Sequence, residues 1–134
     1  MNNNILSLVA ATIVASTLFG LAWVGISNHS VLAQGAANGT TVSMAKGSQS
    51  ASNPEFFVPK EDTVKAGETV TWKNEDTAIH TATSGKDATP DGKFDTSLVS
   101  PGQSSKPIAM PNDPGQYPYF CTLHPWMEGT ITVS

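Results

Sequence analysis

Two patterns of hydrophobic and polar residues divide the chain. Residues 5–26 form an uncharged and mostly apolar run of 22 residues. As an α-helix rising 1.5 Å per residue, this run would be about 33 Å long, enough for a hydrocarbon core of ~30 Å. After residue 39 the apolar residues recur in short stretches separated by Gly, Pro, Ser and Asn, which is typical of strands joined by turns. The pattern predicts one hydrophobic helix followed by a β domain.

Alternation along the β domain indicates which side chains face the core. Val70 and Trp72 share one face of a predicted strand, and Tyr117, Tyr119 and Cys121 share one face of another. The charged segment 85–95, which contains Gly and Pro, is predicted as a loop. We expect about seven short strands, near residues 40–44, 55–58, 68–73, 78–84, 104–110, 117–122 and 130–134, the fifth following a turn at 100–103. Strands of this length and spacing predict an all-β fold, a small antiparallel sandwich or barrel.

Charge separates the same two parts of the chain. Residues 1–33 contain no charged side chain, whereas all 7 Lys and all 11 acidic residues follow them. We predict that residues 1–33 are a membrane anchor or a cleaved signal peptide, 34–39 a linker and 40–134 one domain. The length of the apolar run favours the anchor, although Val31-Leu32-Ala33 would serve as a cleavage site. Either interpretation places the domain outside the cytoplasm.

Composition excludes several classes of function. The net charge is −4 and there is no Arg, which argues against nucleic acid as a partner because phosphate binding needs a basic face. A single Cys excludes an intrachain disulfide, and three His exclude a site that needs several His clusters. His29 lies beside the apolar run and is interpreted as a solvated linker residue.

The chemistry of the chain is concentrated in one short stretch. Cys121, His124 and Met127 follow one another at intervals of three at the end of a predicted strand, and His80 lies on an earlier strand. Each residue alone would more often be structural. Together, one thiolate, two imidazoles and one thioether form a set that suits copper, with the Met as a weak axial ligand. The predicted metal ligands are therefore His80, Cys121, His124 and Met127, holding one copper ion.

Other sites fit these residues less well. Zinc rarely takes Met as a ligand, and structural zinc sites use more Cys and His. A Cys–His nucleophile pair is the other alternative, but the sequence offers neither an oxyanion site nor an orienting group. Met44 and Met110 are predicted as core residues.

The ligand segments resemble the plastocyanin/amicyanin branch of the cupredoxins. The resemblance lies in residues 74–81 and in the Cys121-x2-His124-x2-Met127 loop, with Pro125 after the His. Phe94-Asp95-Thr96-Ser97, followed by Ser100-Pro101-Gly102, is similar to archaeal plastocyanins and halocyanins. The resemblance implies an eight-strand Greek-key sandwich with copper at one end. It also implies that the four residues named above are the ligands.

Three positions depart from this family pattern. Ile79 stands where many members have Pro, and Thr81 stands where many have an Asn that ties the two ligand loops together. A Thr hydroxyl would make that tie with a shorter reach. Leu123 stands where plastocyanin and amicyanin have Pro, and it keeps a backbone N–H that Pro lacks. That N–H is expected to bond the Cys121 sulfur and so raise the reduction potential.

The expected function is that of a one-electron carrier, not an enzyme. Its partners would be a donor and an acceptor protein, with electrons leaving through His124. Pro125, Trp126 and Ile79 are expected to form an apolar collar there. Glu75, Asp76 and Glu128 are expected either to steer a basic partner or to form a plain solvated rim. A single-copper enzyme acting on a small nitrogen oxide and a copper-delivery protein remain the alternatives.

Overall fold

The β domain consists of nine strands in two sheets. The computed structural model describes residues 39–134, and no helix occurs among them. The strands are β1 (Gly39–Met44), β2 (Phe57–Val58), β3 (Glu61–Val64), β4 (Thr69–Asn74), β5 (Thr83–Lys86), β6 (Thr89–Asp95), β7 (Ile108–Ala109), β8 (Gly115–Phe120) and β9 (Glu128–Val133). The predicted all-β sandwich is confirmed.

The predictions for the N-terminal part fall outside the described residues. These are the hydrophobic helix, the anchor or signal peptide at 1–33, the linker histidine His29 and all of the linker except Gly39, which begins β1. Over residues 39–134, no helix has the length and apolarity needed to cross a bilayer.

The sheets are mixed, not antiparallel as predicted. One has the order β2-β1-β4-β7 and the other the order β3-β9-β8-β5-β6. β1 runs parallel to β4, and β3 runs parallel to β9, while the other pairs are antiparallel. A parallel pair needs a long crossover connection, which an alternation pattern does not reveal. β3 was not predicted because it is short and largely polar.

The core lies between the two sheets and is rich in aromatic rings. Trp72 of β4 stacks on Phe94 at 5.5 Å between ring centroids and meets the edge of Tyr119 at the same distance. Tyr119 lies across Gly129 of β9, where an added Cβ would come within 2.4 Å of the phenol ring. Gly129 therefore lets β8 and β9 pair in register beneath this ring, and that register positions the loop between them.

Three predicted segments differ from the structure. The predicted strand that follows the turn at 100–103 is only two residues long, Ile108–Ala109. The predicted loop at 85–95 is a hairpin of β5 and β6, and β6 is an edge strand, which tolerates Pro90 and a mostly exposed surface. The predicted strand at 78–84 is regular only from Thr83 onward, and before that only His80 pairs, with Val99. The segment from His80 to Ser84 is buried throughout, so its side chains do not alternate between core and solvent.

Candidate metal centre

A tight loop joins β8 to β9 at one end of the sandwich. The Cys121 N–H donates to the Met127 carbonyl at 3.0 Å, so the two ends of the loop are bonded directly. The His124 N–H donates to the Cys121 carbonyl at 3.2 Å, and the Met127 N–H donates to the His124 carbonyl at 2.9 Å. Three backbone hydrogen bonds thus define the conformation of a seven-residue segment, residues 121–127.

Three of the four predicted ligands converge on one point. The Cys121 Sγ lies 3.7 Å from His80 Nδ1 and 3.7 Å from His124 Nδ1. The donor atoms of these three residues all lie within 4.8 Å of one another. Sulfur and nitrogen bound to one ion at about 2.3 and 2.0 Å, at trigonal angles, would be about 3.7 Å apart. The donor set and its spacing therefore fit a trigonal metal site.

Met127 closes the same loop. Its side chain is fully buried, and its backbone is bonded to both Cys121 and His124. The methionine is thereby tied to the loop that carries two of the other predicted ligands. Met44 and Met110 are buried in the core, as predicted.

The surroundings of Cys121 favour the thiolate, which is the form that binds metals. Burial alone would raise the pKa of the thiol, but contacts with His80, the Thr81 N–H and His124 lower it to about 6. The Thr81 N–H donates to the sulfur at 3.3 Å. The Leu123 N–H also lowers this pKa, but within residues 39–134 the N–H that hydrogen-bonds the sulfur is that of Thr81, not the one expected from Leu123.

Thr81 ties the two ligand segments together, as its position predicted. Its Oγ1 accepts a hydrogen bond from the Thr122 N–H at 2.9 Å. Its own N–H donates to the Cys121 sulfur, so Thr81 contacts both the predicted ligand Cys121 and the next residue, Thr122. A threonine thus connects the two segments that carry the predicted ligands.

The sequence interpretation of Asp76 is wrong. The residue is 3% exposed and does not belong to a solvated rim. Its Oδ2 lies 2.8 Å from His80 Nε2 and accepts the ring proton there. Burial opposes ionisation, but the bonds from His80 and from three backbone N–H groups hold the pKa of this carboxyl well below its usual range. The four-residue spacing between Asp76 and His80 was the available signal, and it is a weak one.

Exposed apolar side chains accompany the half-buried His124. Trp126 is 40% exposed, Leu123 51% and Ile79 42%. The Trp126 ring meets His124 edge-on at 5.3 Å, and its Nε1–H donates to the Ser48 carbonyl at 3.1 Å. Trp126 therefore both packs over the loop and contributes to the apolar surface.

Comparisons with known proteins agree with this geometry. The chain is 35% identical to the amicyanin of Paracoccus versutus over 77 residues, which are 58% of this chain and 57% of the amicyanin. It therefore spans little more than half of that relative's length. It is 39% identical to the plastocyanin of Scenedesmus fuscus over 85 residues, covering 58% of this chain and 85% of the plastocyanin.

Solved structures share the fold. One is a novel purple cupredoxin from Nitrosopumilus maritimus, with a TM-score of 0.65 and 26% identity, covering 71% of this chain and 99% of that chain. Another is the Cu(I) form of an amicyanin mutant, with a TM-score of 0.55 and 26% identity, covering 72% of this chain and 83% of that chain. The family model for the cupredoxin-like domain matches residues 14–133. The chain therefore belongs to the cupredoxin-like domain family.

Proposed function

We propose that the protein binds one copper ion and carries single electrons between redox partner proteins outside the cytoplasm. The observation that supports this most directly is the convergence of the Cys121 sulfur with the Nδ1 atoms of His80 and His124. We further propose Met127 as the axial ligand, because its loop position follows the family spacing. Membership of a family that includes amicyanins and plastocyanins supports an electron carrier over an enzyme.

The residues around the site suit repeated one-electron transfer. Bound copper would supply the Cu(I)/Cu(II) couple, which a thiolate, imidazole and thioether set supports. His80, Cys121 and Met127 are fully buried and exclude water from their side of the site. The backbone bonds within residues 121–127 hold the loop in one conformation, so the donor atoms need to move little.

His124 is the proposed exit for the electron. It is only half-buried, and its Nδ1 faces Cys121, which leaves the opposite ring edge toward the surface. The exposed side chains of Ile79, Leu123 and Trp126 would give a partner a small apolar area to dock on. Brief contacts of this kind bury little surface, as weak redox encounters do.

We propose that residues 1–33 place this domain outside the cytoplasm as an anchor or signal peptide, with 34–39 as the linker and 40–134 as the copper domain. The uncharged run of 22 residues supports this division. Fractionation of cells expressing the full chain, with N-terminal sequencing of the product, tests it. Recovery of the uncut chain in the cytosol would refute it.

An absorption spectrum of the copper-loaded protein tests the main proposal. We expect a strong thiolate-to-Cu(II) band near ~600 nm, typical of a His2Cys site with a weak axial ligand. Cys121→Ser is the matched control, because it removes the thiolate with little change in size, and we expect it to lose the band. Copper binding without this colour would contradict the proposal. A spectral change on addition of nitrite would favour an open, reactive site instead of a closed carrier.

A further inference from the structure

Asp76 is the centre of a buried hydrogen-bond network behind His80. Its Oδ1 accepts the N–H groups of Gly47 at 2.8 Å and Thr77 at 2.8 Å. Its Oδ2 accepts the Gln49 N–H at 3.0 Å, the Ser48 hydroxyl at 3.2 Å and the His80 Nε2–H at 2.8 Å. Every partner donates, so both oxygens must act as acceptors.

This network connects three parts of the site. The segment 47–49 lies against Asp76, and the Ser48 carbonyl accepts the indole N–H of Trp126. Trp126 in turn contacts the ring of His124. The Asp76 carboxylate therefore hydrogen-bonds His80 directly. Through Ser48 and Trp126 it is also connected to His124.

A buried carboxylate that bonds a metal-ligating histidine affects the metal in two ways. It holds the ring in the tautomer whose other nitrogen is free to bind, and it makes that nitrogen a stronger donor. At His80 the nitrogen opposite Asp76 is Nδ1, which faces the Cys121 sulfur. A stronger donor stabilises Cu(II) more than Cu(I), because the higher charge gains more from it.

We propose that Asp76 is a positioning residue for the metal centre: it fixes His80 with Nδ1 toward Cys121 and lowers the reduction potential of the bound metal. This inference rests on the proposed copper function. It goes beyond that function by assigning control of the potential to a carboxylate that does not touch the metal.

Two variants, each of which removes one carboxylate charge, test the inference. Asp76→Asn keeps the shape but replaces one acceptor oxygen with an NH2 group that faces donors. Glu75→Gln is the matched control, because it removes the neighbouring charge, which is exposed and paired with Lys73. The readouts are the reduction potential by protein-film voltammetry and the shift of the His80 Nε2–H proton in Cu(I)-loaded protein by NMR.

We expect Asp76→Asn to reduce the preference for Cu(II) over Cu(I) at least tenfold, which raises the potential by about 59 mV or more. The His80 Nε2–H signal should move upfield as its bond to a full carboxylate is lost. In Glu75→Gln we expect less than a twofold change in preference and an unmoved proton signal. Equal shifts of potential in the two variants would overturn the inference.

A second variant covers the case in which Asp76→Asn does not fold. Ser48→Ala removes the hydroxyl that donates to Oδ2 and also lies 3.3 Å from His80 Nε2, so the ring proton is left to Oδ2 alone, and that oxygen keeps more negative charge. The potential should then fall, opposite in sign to the Asp76→Asn effect, and a rise would overturn the inference.

Wild-type protein that shows no blue copper band would refute the proposed function itself. If the wild-type protein showed a normal band but the Asp76→Asn and Ser48→Ala variants kept its reduction potential, only the role of Asp76 would be refuted.

Discussion

The two imidazoles of the candidate site lie in different surroundings. His80 is fully buried, and both of its ring nitrogens face protein groups, Asp76 on one side and Cys121 on the other. His124 is half-buried, lies in a short loop and has its ring against the half-exposed Trp126. The same type of side chain is thus held inside the domain at one position and presented at its surface at the other.

This difference suggests a division of labour within one site. A ligand that is buried and bonded at both nitrogens keeps its geometry and sets the electronic properties of the centre. A ligand with an exposed edge allows a partner to approach within electron-transfer range. A closed carrier needs both features, because a fully buried site would be insulated and a fully exposed one would admit water.

The strongest test of the comparison replaces each histidine with glycine, which leaves a cavity where the imidazole was. His124→Gly should regain the visible copper band with added imidazole, because the vacated space opens to solvent. His80→Gly should need at least tenfold more imidazole or show no band, since its cavity is closed and leaves the buried Asp76 carboxylate without its partner. Absorbance titration with imidazole measures both. If both variants regained the copper band at the same imidazole concentration, the proposed difference between His80 and His124 would be wrong.

The next largest effect is expected on the stability of the domain. It comes from the hydrogen bond between the Thr122 N–H and Thr81, which ties the two ligand segments together. Thr81→Val keeps the shape but leaves the Thr122 N–H without its acceptor, and Thr81 is buried. We expect the copper-free domain to lose about 1–3 kcal/mol of unfolding free energy. Urea denaturation measures the loss, with Thr132→Val, at a half-buried position of β9, as the control. Loss of less than about 0.5 kcal/mol, the ordinary surface level, would show that the tie is dispensable.

The loop beside His124 offers a finer test. Leu123→Pro removes a backbone N–H that lowers the pKa of Cys121 and so stabilises its thiolate. We expect the reduction potential to fall by about 20 mV, the lower end for one hydrogen bond, because the Thr81 N–H makes the hydrogen bond to the sulfur and the Leu123 N–H adds a weaker contact. Leu123→Ala keeps the N–H and should leave the potential near the wild-type value. An unchanged or higher potential in the proline variant would refute this role of the N–H.

The smallest effect is expected far from both imidazoles. Asp87 and Ala88, in the turn between β5 and β6, have positive φ angles of 51° and 57°. Ala88→Gly relieves this strain and should stabilise the domain by about 0.5–1 kcal/mol. Thermal unfolding measures the gain, and voltammetry should show an unchanged potential. A changed potential would mean that the hairpin is coupled to the site, and the contrast between the imidazole regions would then be incomplete.

Local patterns predicted the regular part of the fold well. β4 and β9 alternate between buried and partly exposed residues, so Trp72 and Ile131 were assignable to the core. The hairpin of β5 and β6 was missed because an edge strand with one buried side chain, Phe94, carries almost no hydrophobic pattern. The parallel pairs were missed because they depend on how the chain crosses between sheets.

The sequence by itself determined the donor types of the candidate site and the all-β fold class. The spacing from Cys121 to Met127 is a local property, and a short loop between paired strands brings its ends together. Three donors of the types that copper prefers are therefore recognisable from their spacing along the chain. Only the tertiary structure decided what surrounds them. The contacts of Asp76 with segment 47–49 span 27 to 29 residues, so these bonds and the burial that they bring are not encoded in the neighbours of Asp76 along the chain, whereas its bond to His80 spans only four residues.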